Sequence, residues 1–261
     1  MKQMKRFINA ALACCILVAF VACSKGVKTG YIINGEVEGL KDGTVLTLTV
    51  MNHDDEPPMA ETTIKDGKFR FEGSTEEPIC ANIEVKNVDG KLSVMLGDGE
   101  FSVKAKVNAK DGNSYKWQAT FSGSELNDTL AAYEAHYDSL NIFYDDFMSN
   151  HGETIKKFRS MNEEQQKEFM KTEEYLDAYG AQKRFFDLVE KTVLDMVIAN
   201  QNTFWGPLLA MKYYTKFTPD QHDLYEMFPD DVKKTYYGKL MGKDMPAAEA
   251  PIEITMPTNQ Q

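Results

Sequence analysis

Five Asp-Gly pairs fall between residues 42 and 112: Asp42-Gly43, Asp66-Gly67, Asp89-Gly90, Asp98-Gly99 and Asp111-Gly112. Each offers the two positive-φ positions of a tight turn, and such turns join neighbouring strands where apolar residues alternate on either side. Around Asp66-Gly67 the alternation is plain, with Thr62 and Ile64 leading in and Phe69 and Phe71 leading out. That spacing predicts a β-hairpin there, with the same device repeated at the other four pairs.

The runs between the turns read as eight short strands. Tyr31, Ile33 and Val37 alternate in the first, and Val45–Met51 is β-branched and Leu-rich. Ile79, Ala81, Ile83 and Val85 share a face of the strand whose other face carries Cys80. Leu92, Val94 and Leu96, then Phe101 to Val107, then Tyr115 to Phe121 complete the set. Short strands at close spacing predict an antiparallel β-sandwich or a partly open barrel over residues 31–123.

The period changes after Gly123. Leu126, Leu130, Tyr133, Tyr137, Leu140, Tyr144 and Phe147 step by three and four, the stripe of one long helix. Ser122 and Glu125 offer it a capping box. Gly152 is expected to end it, and a second, charge-rich helical stretch is expected from Glu153 to Asn200, with Gly180 as a kink or boundary. Pro207 fits only a first turn, so a third helix starts near Trp205. Thr218-Pro219-Asp220-Gln221 is a start signal, and a last helix runs from Pro229 to about Met241. The fold class is therefore α+β: the β domain, a helical domain over 124–245, and a Pro-, Ala- and Glu-rich tail over 246–261 expected to lack fixed structure.

The N-terminus carries an address. Lys2, Lys5 and Arg6 precede the apolar stretch Phe7–Ala22, which is shorter than the roughly 20 residues needed to cross a bilayer. Residues 1–22 read as a signal peptide. Phe20-Val21-Ala22-Cys23 resembles a bacterial lipobox, with Phe where Leu is usual, and the resemblance makes Cys23 the lipidated first mature residue. Residues 23–30 then serve as a tether to the membrane, and Cys80 is left as the lone thiol. Without Lys2, Lys5 and Arg6 the chain keeps 26 basic residues against 40 acidic, a balance of −14. That charge argues against nucleic acid, whose phosphates must be neutralised by Lys and Arg.

Chemistry-bearing motifs are sparse. His53 with Asp54, Asp55 and Glu56 is an acidic loop whose adjacent residues are poorly spaced to converge on a metal, so none is expected. Cys80 sits in an apolar strand with no cation beside it to favour a thiolate. Tyr133, Tyr137, Tyr144 and Trp205 are the candidate aromatics of a ligand groove, against the alternative that they fill a core. His136, His151 and His222 belong to no nucleophile motif, and no Cys-x-x-Cys or phosphate-binding glycine loop occurs. No cofactor is expected.

Ile33-Asn34-Gly35-Glu36-Val37, Lys65-Asp66-Gly67-Lys68-Phe69, Glu77-Pro78, Gly123-Ser124-Glu125-Leu126-Asn127 and the run Val232–Leu240 together resemble a domain of unknown function common in Bacteroidetes envelope lipoproteins. In that family the unit usually precedes a peroxiredoxin- or thioredoxin-like domain bearing a Trp-Cys-x-x-Cys site, for which these 261 residues hold no counterpart. The resemblance implies fold and envelope location rather than activity. The expectation is a lipid-anchored envelope protein with a non-catalytic binding or interaction role. Two alternatives stand beside it: an accessory working in trans with a thioredoxin-like oxidoreductase, and a hydrolase without a recognised motif.

Overall fold

A computed structural model describes residues 30–246 apart from 54, 55, 111–113, 215, 219 and 220. The signal peptide, Cys23, Asp111-Gly112, Pro219-Asp220 and all of the tail beyond Pro246 lie outside the described residues. Eight strands form two four-stranded sheets: β1 (Tyr31–Glu38), β2 (Val45–Val50), β3 (Ala60–Thr63), β4 (Lys68–Gly73), β5 (Ile79–Val85), β6 (Lys91–Leu96), β7 (Gly99–Lys110) and β8 (Ser114–Ser122). The first sheet has the order β4-β1-β7-β8 and the second β3-β2-β5-β6. Ile33, Phe71 and Val103 from the first sheet meet Leu46, Ile83 and Val94 from the second in a shared buried core. This is a sandwich, not a closed barrel.

Two expectations need correction. The sheets are not purely antiparallel, because β1 and β7 pair in parallel, with Ile33 opposite Phe101. Nor do the Asp-Gly pairs all make hairpins. Asp42-Gly43, Asp66-Gly67 and Asp98-Gly99 stand where the chain crosses from one sheet to the other, and Asp89-Gly90 lies in the β5–β6 hairpin. At the central pair both φ values are positive, 52° for Asp66 and 68° for Gly67, and Lys65 and Lys68 exchange both backbone bonds at 3.0 Å. The turn chemistry is that of a tight hairpin. The strands it joins part at once, β3 to the second sheet and β4 to the first.

Among the described residues eight helices follow: α1 (Glu125–Asp138), α2 (Asn141–Ser160), α3 (Glu163–Phe169), α4 (Glu173–Ala199), α5 (Trp205–Tyr213), α6 (His222–Glu226), α7 (Asp230–Lys233) and α8 (Tyr236–Asp244). The long first helix of the sequence reading is two helices, broken at Ser139-Leu140. Gly152 and Gly180 interrupt nothing, since one glycine in a helix held by packing costs only about 1 kcal/mol. Met161-Asn162 and Met170-Thr172 break the charge-rich stretch instead, each beside a polar cap, Asn162 or Thr172. The cap of α1 is Ser124, whose hydroxyl accepts from the Asn127 N–H at 3.2 Å, two residues beyond the expected Ser122. The last helix is split by the cap Thr235 into α7 and α8.

The helices cover the outer face of the second sheet. Cys80, Met95 and Met51 point out of the sandwich into a second core with Leu208, Leu209, Tyr237 and Met241. The first sheet's outer face instead presents polar side chains such as Asn34, Glu36, Arg70 and Lys104 to solvent. No helix of the described residues is long and apolar enough to cross a membrane.

Candidate functional site

The helical half is seated on one cross-strand pair, Cys80 of β5 and Met95 of β6. On one side Asn127, fully buried in α1, accepts from the Met95 N–H at 2.8 Å and donates to the Met95 carbonyl at 2.9 Å. On the other, the Tyr237 hydroxyl accepts from the Cys80 N–H at 2.6 Å, one residue past the Val50–Ala81 pair at which β2 ends. Two side chains thus stand in for missing strand partners on both flanks of the pair.

Tyr237 also aims its neighbour. The rings of Tyr236 and Tyr237 stand at 89°, so as Tyr237 enters the core Tyr236 turns toward the β2–β3 loop. There the two sides bound a cleft of about 480 Å³, within the range of small-ligand sites. Its floor is Ile79 and Leu240; Tyr236, Lys239 and Lys243 come from α8, and His53, Glu76 and Glu77 from the sheet side. Tyr236, Lys239, Leu240 and Lys243 step by three, one and three, which keeps all four on one face of the helix. Glu77 holds α8 in place by accepting from the Tyr236 N–H at 2.8 Å, and Thr235 caps the Gly238 N–H at 3.2 Å. Gly238 itself has no room for a side chain: a Cβ there would lie 2.2 Å from the Val232 carbonyl.

His53 stands between Glu56, 2.9 Å from its Nδ1, and the Tyr236 hydroxyl, 3.3 Å from its Nε2. Burial, and then the Glu56 charge, push the Tyr236 pKa above its ordinary value, so the phenol keeps its proton. All three groups are satisfied when Tyr236 donates to Nε2 and the Nδ1–H donates to Glu56. Among the described residues that line this cleft there is no serine or cysteine. What the walls offer a ligand is an apolar floor, two lysines one helical turn apart on α8, and on the sheet side the carboxylates of Glu76 and Glu77, the second already engaged by the Tyr236 N–H.

The residues singled out in the sequence are dispersed. Tyr133 and Trp205 pack at 5.4 Å, Tyr133 donates its hydroxyl to Asn200 Oδ1 at 2.6 Å, and Tyr137 stacks on Tyr213 at 4.3 Å, all against the second core. Tyr144 lies apart on α2, against Phe185 of α4. Cys80 is fully buried, and desolvation pushes its thiol up to about 11. His136 is exposed in the last turn of α1, His151 lies on α2 at 3.9 Å from Asp177, and His222 opens α6. Of the acidic loop, His53 lines the cleft and Glu56 meets it only through His53, while Asp54 and Asp55 lie outside the described residues. Lys239 and Lys243 were not singled out, although their helical spacing with Tyr236 was there to read.

No curated protein matches the chain. The match to a family covers the sandwich and the Asn127 clasp but not α8: over residues 31–130 the chain carries the domain described as Domain of unknown function (DUF4369).

Proposed function

We propose that this protein is a cell-envelope lipoprotein, anchored through Cys23, that binds a small amphipathic anion in the cleft beneath α8 without transforming it. The observation that carries the reading is the pairing of Lys239 and Lys243 over the apolar floor of Ile79 and Leu240. An apolar body would lie on the floor, and its anionic head would meet the two ammonium groups. Binding rather than turnover is favoured by the state of the nearby nucleophiles. The Cys80 thiol is buried and held protonated, and the Tyr236 phenol is pushed away from ionisation.

Thermal denaturation of the full chain with octyl phosphate or octanoate tests this, with octylamine and octanol as controls. At tenfold excess over Kd, mass action adds about 1.4 kcal/mol, or about 3–6 °C in a chain of this size. The anions should raise Tm and the controls should not, and Lys239→Gln/Lys243→Gln should abolish the rise. Equal shifts with all four probes, or a shift untouched by the lysine substitutions, would rule the reading out.

A further inference from the structure

Helices α2 and α4 form an antiparallel arm, joined by the stacked rings of Phe147 and Phe185 at 6.4 Å. The arm leaves large apolar groups in water: Phe143 is 54% exposed, Tyr144 45%, Tyr179 53% and Phe186 56%. Large exposed apolar groups gathered on one part of a folded chain mark an interaction site. Helical spacing sorts it into faces. Tyr144, Met148 and Ile155 of α2 and Tyr179 and Phe186 of α4 fall on one side of the arm. The contact of Tyr144 with Phe185 at 5.7 Å bridges the two helices. Phe143 falls on the other side, where it lines a cavity of about 280 Å³ with Asp146, His151 and Arg184.

Two features of α2 say what covers the first face. Gly152 has ordinary helical φ, and a Cβ added there would meet only the Met148 methyl, at 3.3 Å. A mid-helix glycine costs about 1 kcal/mol against alanine, and nothing among the described residues requires this one. Gly180 is open as well but lies on the side of α4 turned away from α2. The second feature is charge. Asp145 lies seven residues before Gly152 and Arg159 seven after, with Met148 and Lys156 four before and four after. All five fall on one stripe of α2, acidic toward its start and basic toward its end. Such a stripe is complementary to itself when reversed.

We infer that this face binds a second copy of the chain, with α2 crossing its symmetry mate antiparallel at Gly152. The crossing sets Asp145 of each copy opposite Arg159 of the other and lays the Lys156 stem along Met148. It is an isologous contact, in which one patch serves both partners. The missing side chain at Gly152 lets the two backbones approach. A membrane surface is the poorer occupant, because Asp145 would face the anionic headgroups.

The full chain, purified in mild detergent, is examined by sedimentation at graded concentration. Reversible dimers are expected. Gly152→Leu should keep or raise the melting temperature, since it improves helix propensity, yet weaken the dimer at least tenfold by blocking the close approach. A merely structural glycine would shift stability and leave the dimer alone. Asp145→Arg should weaken the dimer about fivefold or more, and Asp145→Arg/Arg159→Asp should restore it. A monomer at every concentration would overturn the inference. So would a dimer indifferent to Gly152→Leu, a charge exchange without recovery, or a monomer whose apolar arm face instead binds vesicles of zwitterionic lipid.

Discussion

Asn127 and Met95 are hydrogen-bonded as two strand residues are, with the side-chain amide of one facing the backbone N–H and carbonyl of the other at 2.8 and 2.9 Å. β6 is the outer strand of its sheet, and an outer strand presents unpaired backbone groups that a folded protein must cover. Asn127 covers them at Met95 from within a helix, and Ser124 steadies it by accepting from the amide nitrogen at 3.0 Å. The joint between the two halves therefore rests on a polar contact buried in an apolar surround.

Asn127→Leu keeps the volume near that of the amide and strands two buried backbone groups. Each unsatisfied group costs about 1–3 kcal/mol, so a loss of about 2–5 kcal/mol is expected. Urea denaturation checks this. Asp128→Ala, one residue along on the exposed side of α1, should change stability by no more than about 0.5 kcal/mol.

Gly67 tests the corner between the sheets. Its φ is 68°, and the space is open: the nearest atom to an added Cβ is the Val37 carbonyl oxygen at 3.6 Å. Strain in the backbone, rather than a clash, is what a side chain there meets. Gly67→Val is expected to cost about 1–3 kcal/mol and Gly67→Asn distinctly less, because Asn tolerates the left-handed region. Equal costs for the two, read from their denaturation midpoints, would mean that this φ is not what selects glycine. The corner is also tied by Asp42, whose carboxylate accepts from the Asp66 N–H at 2.9 Å and the Gly67 N–H at 3.2 Å. Those two bonds hold the Asp42 pKa below its ordinary value. The stabilisation is present above the unfolded-state pKa and fades as the pH falls through the folded one.

Cys23 tests the address. Cys23→Ala is expected to move the protein out of the membrane fraction or leave it as an unprocessed precursor, with the mass of the lipid missing. One acyl chain binds a bilayer only marginally, so the diacyl anchor is the part that matters. Unchanged fractionation and mass would remove the anchor from the proposal.

Strand positions could be read from alternation alone, but pairing could not. Asp66-Gly67 makes a tight turn with both φ positive although its strands part, whereas in the β5–β6 hairpin, whose strands stay together, positive φ falls on Asn87 and Gly90. Likewise the parallel partnership of β1 with β7 joins residues such as Ile33 and Phe101, whose contact leaves no trace in either neighbourhood. Helix breaks were missed where glycine drew attention. Ser139-Leu140 ends α1 because tertiary packing turns the chain there, with Leu140 buried at the bend. Of the cleft only the loop of His53 and Glu56 stood out, and only the fold brings His53 and Tyr236, some 180 positions apart, to 3.3 Å.

Cys80 joins pH to stability. Burial pushes its thiol from 9.0 up to about 11, so between those values the unfolded chain has lost a proton that the folded chain retains. The sign follows from linkage: stability from this group is complete below about pH 9 and declines as the pH rises toward 11. At about 1.4 kcal/mol per pH unit the decline amounts to about 2–3 kcal/mol. The buried phenols of Tyr213 and Tyr237 are pushed upward too, so the Cys80 share must be taken as a difference. Denaturation of the parent and of Cys80→Ala between pH 8 and 11 supplies it, and the parent should lose stability more steeply. The same burial should make native Cys80 slow toward iodoacetamide at neutral pH and fast once urea unfolds the chain. Matching pH slopes in the two proteins, or rapid native alkylation, would mean that Cys80 meets water in the folded state and that the second core is open at the Cys80–Met95 pair.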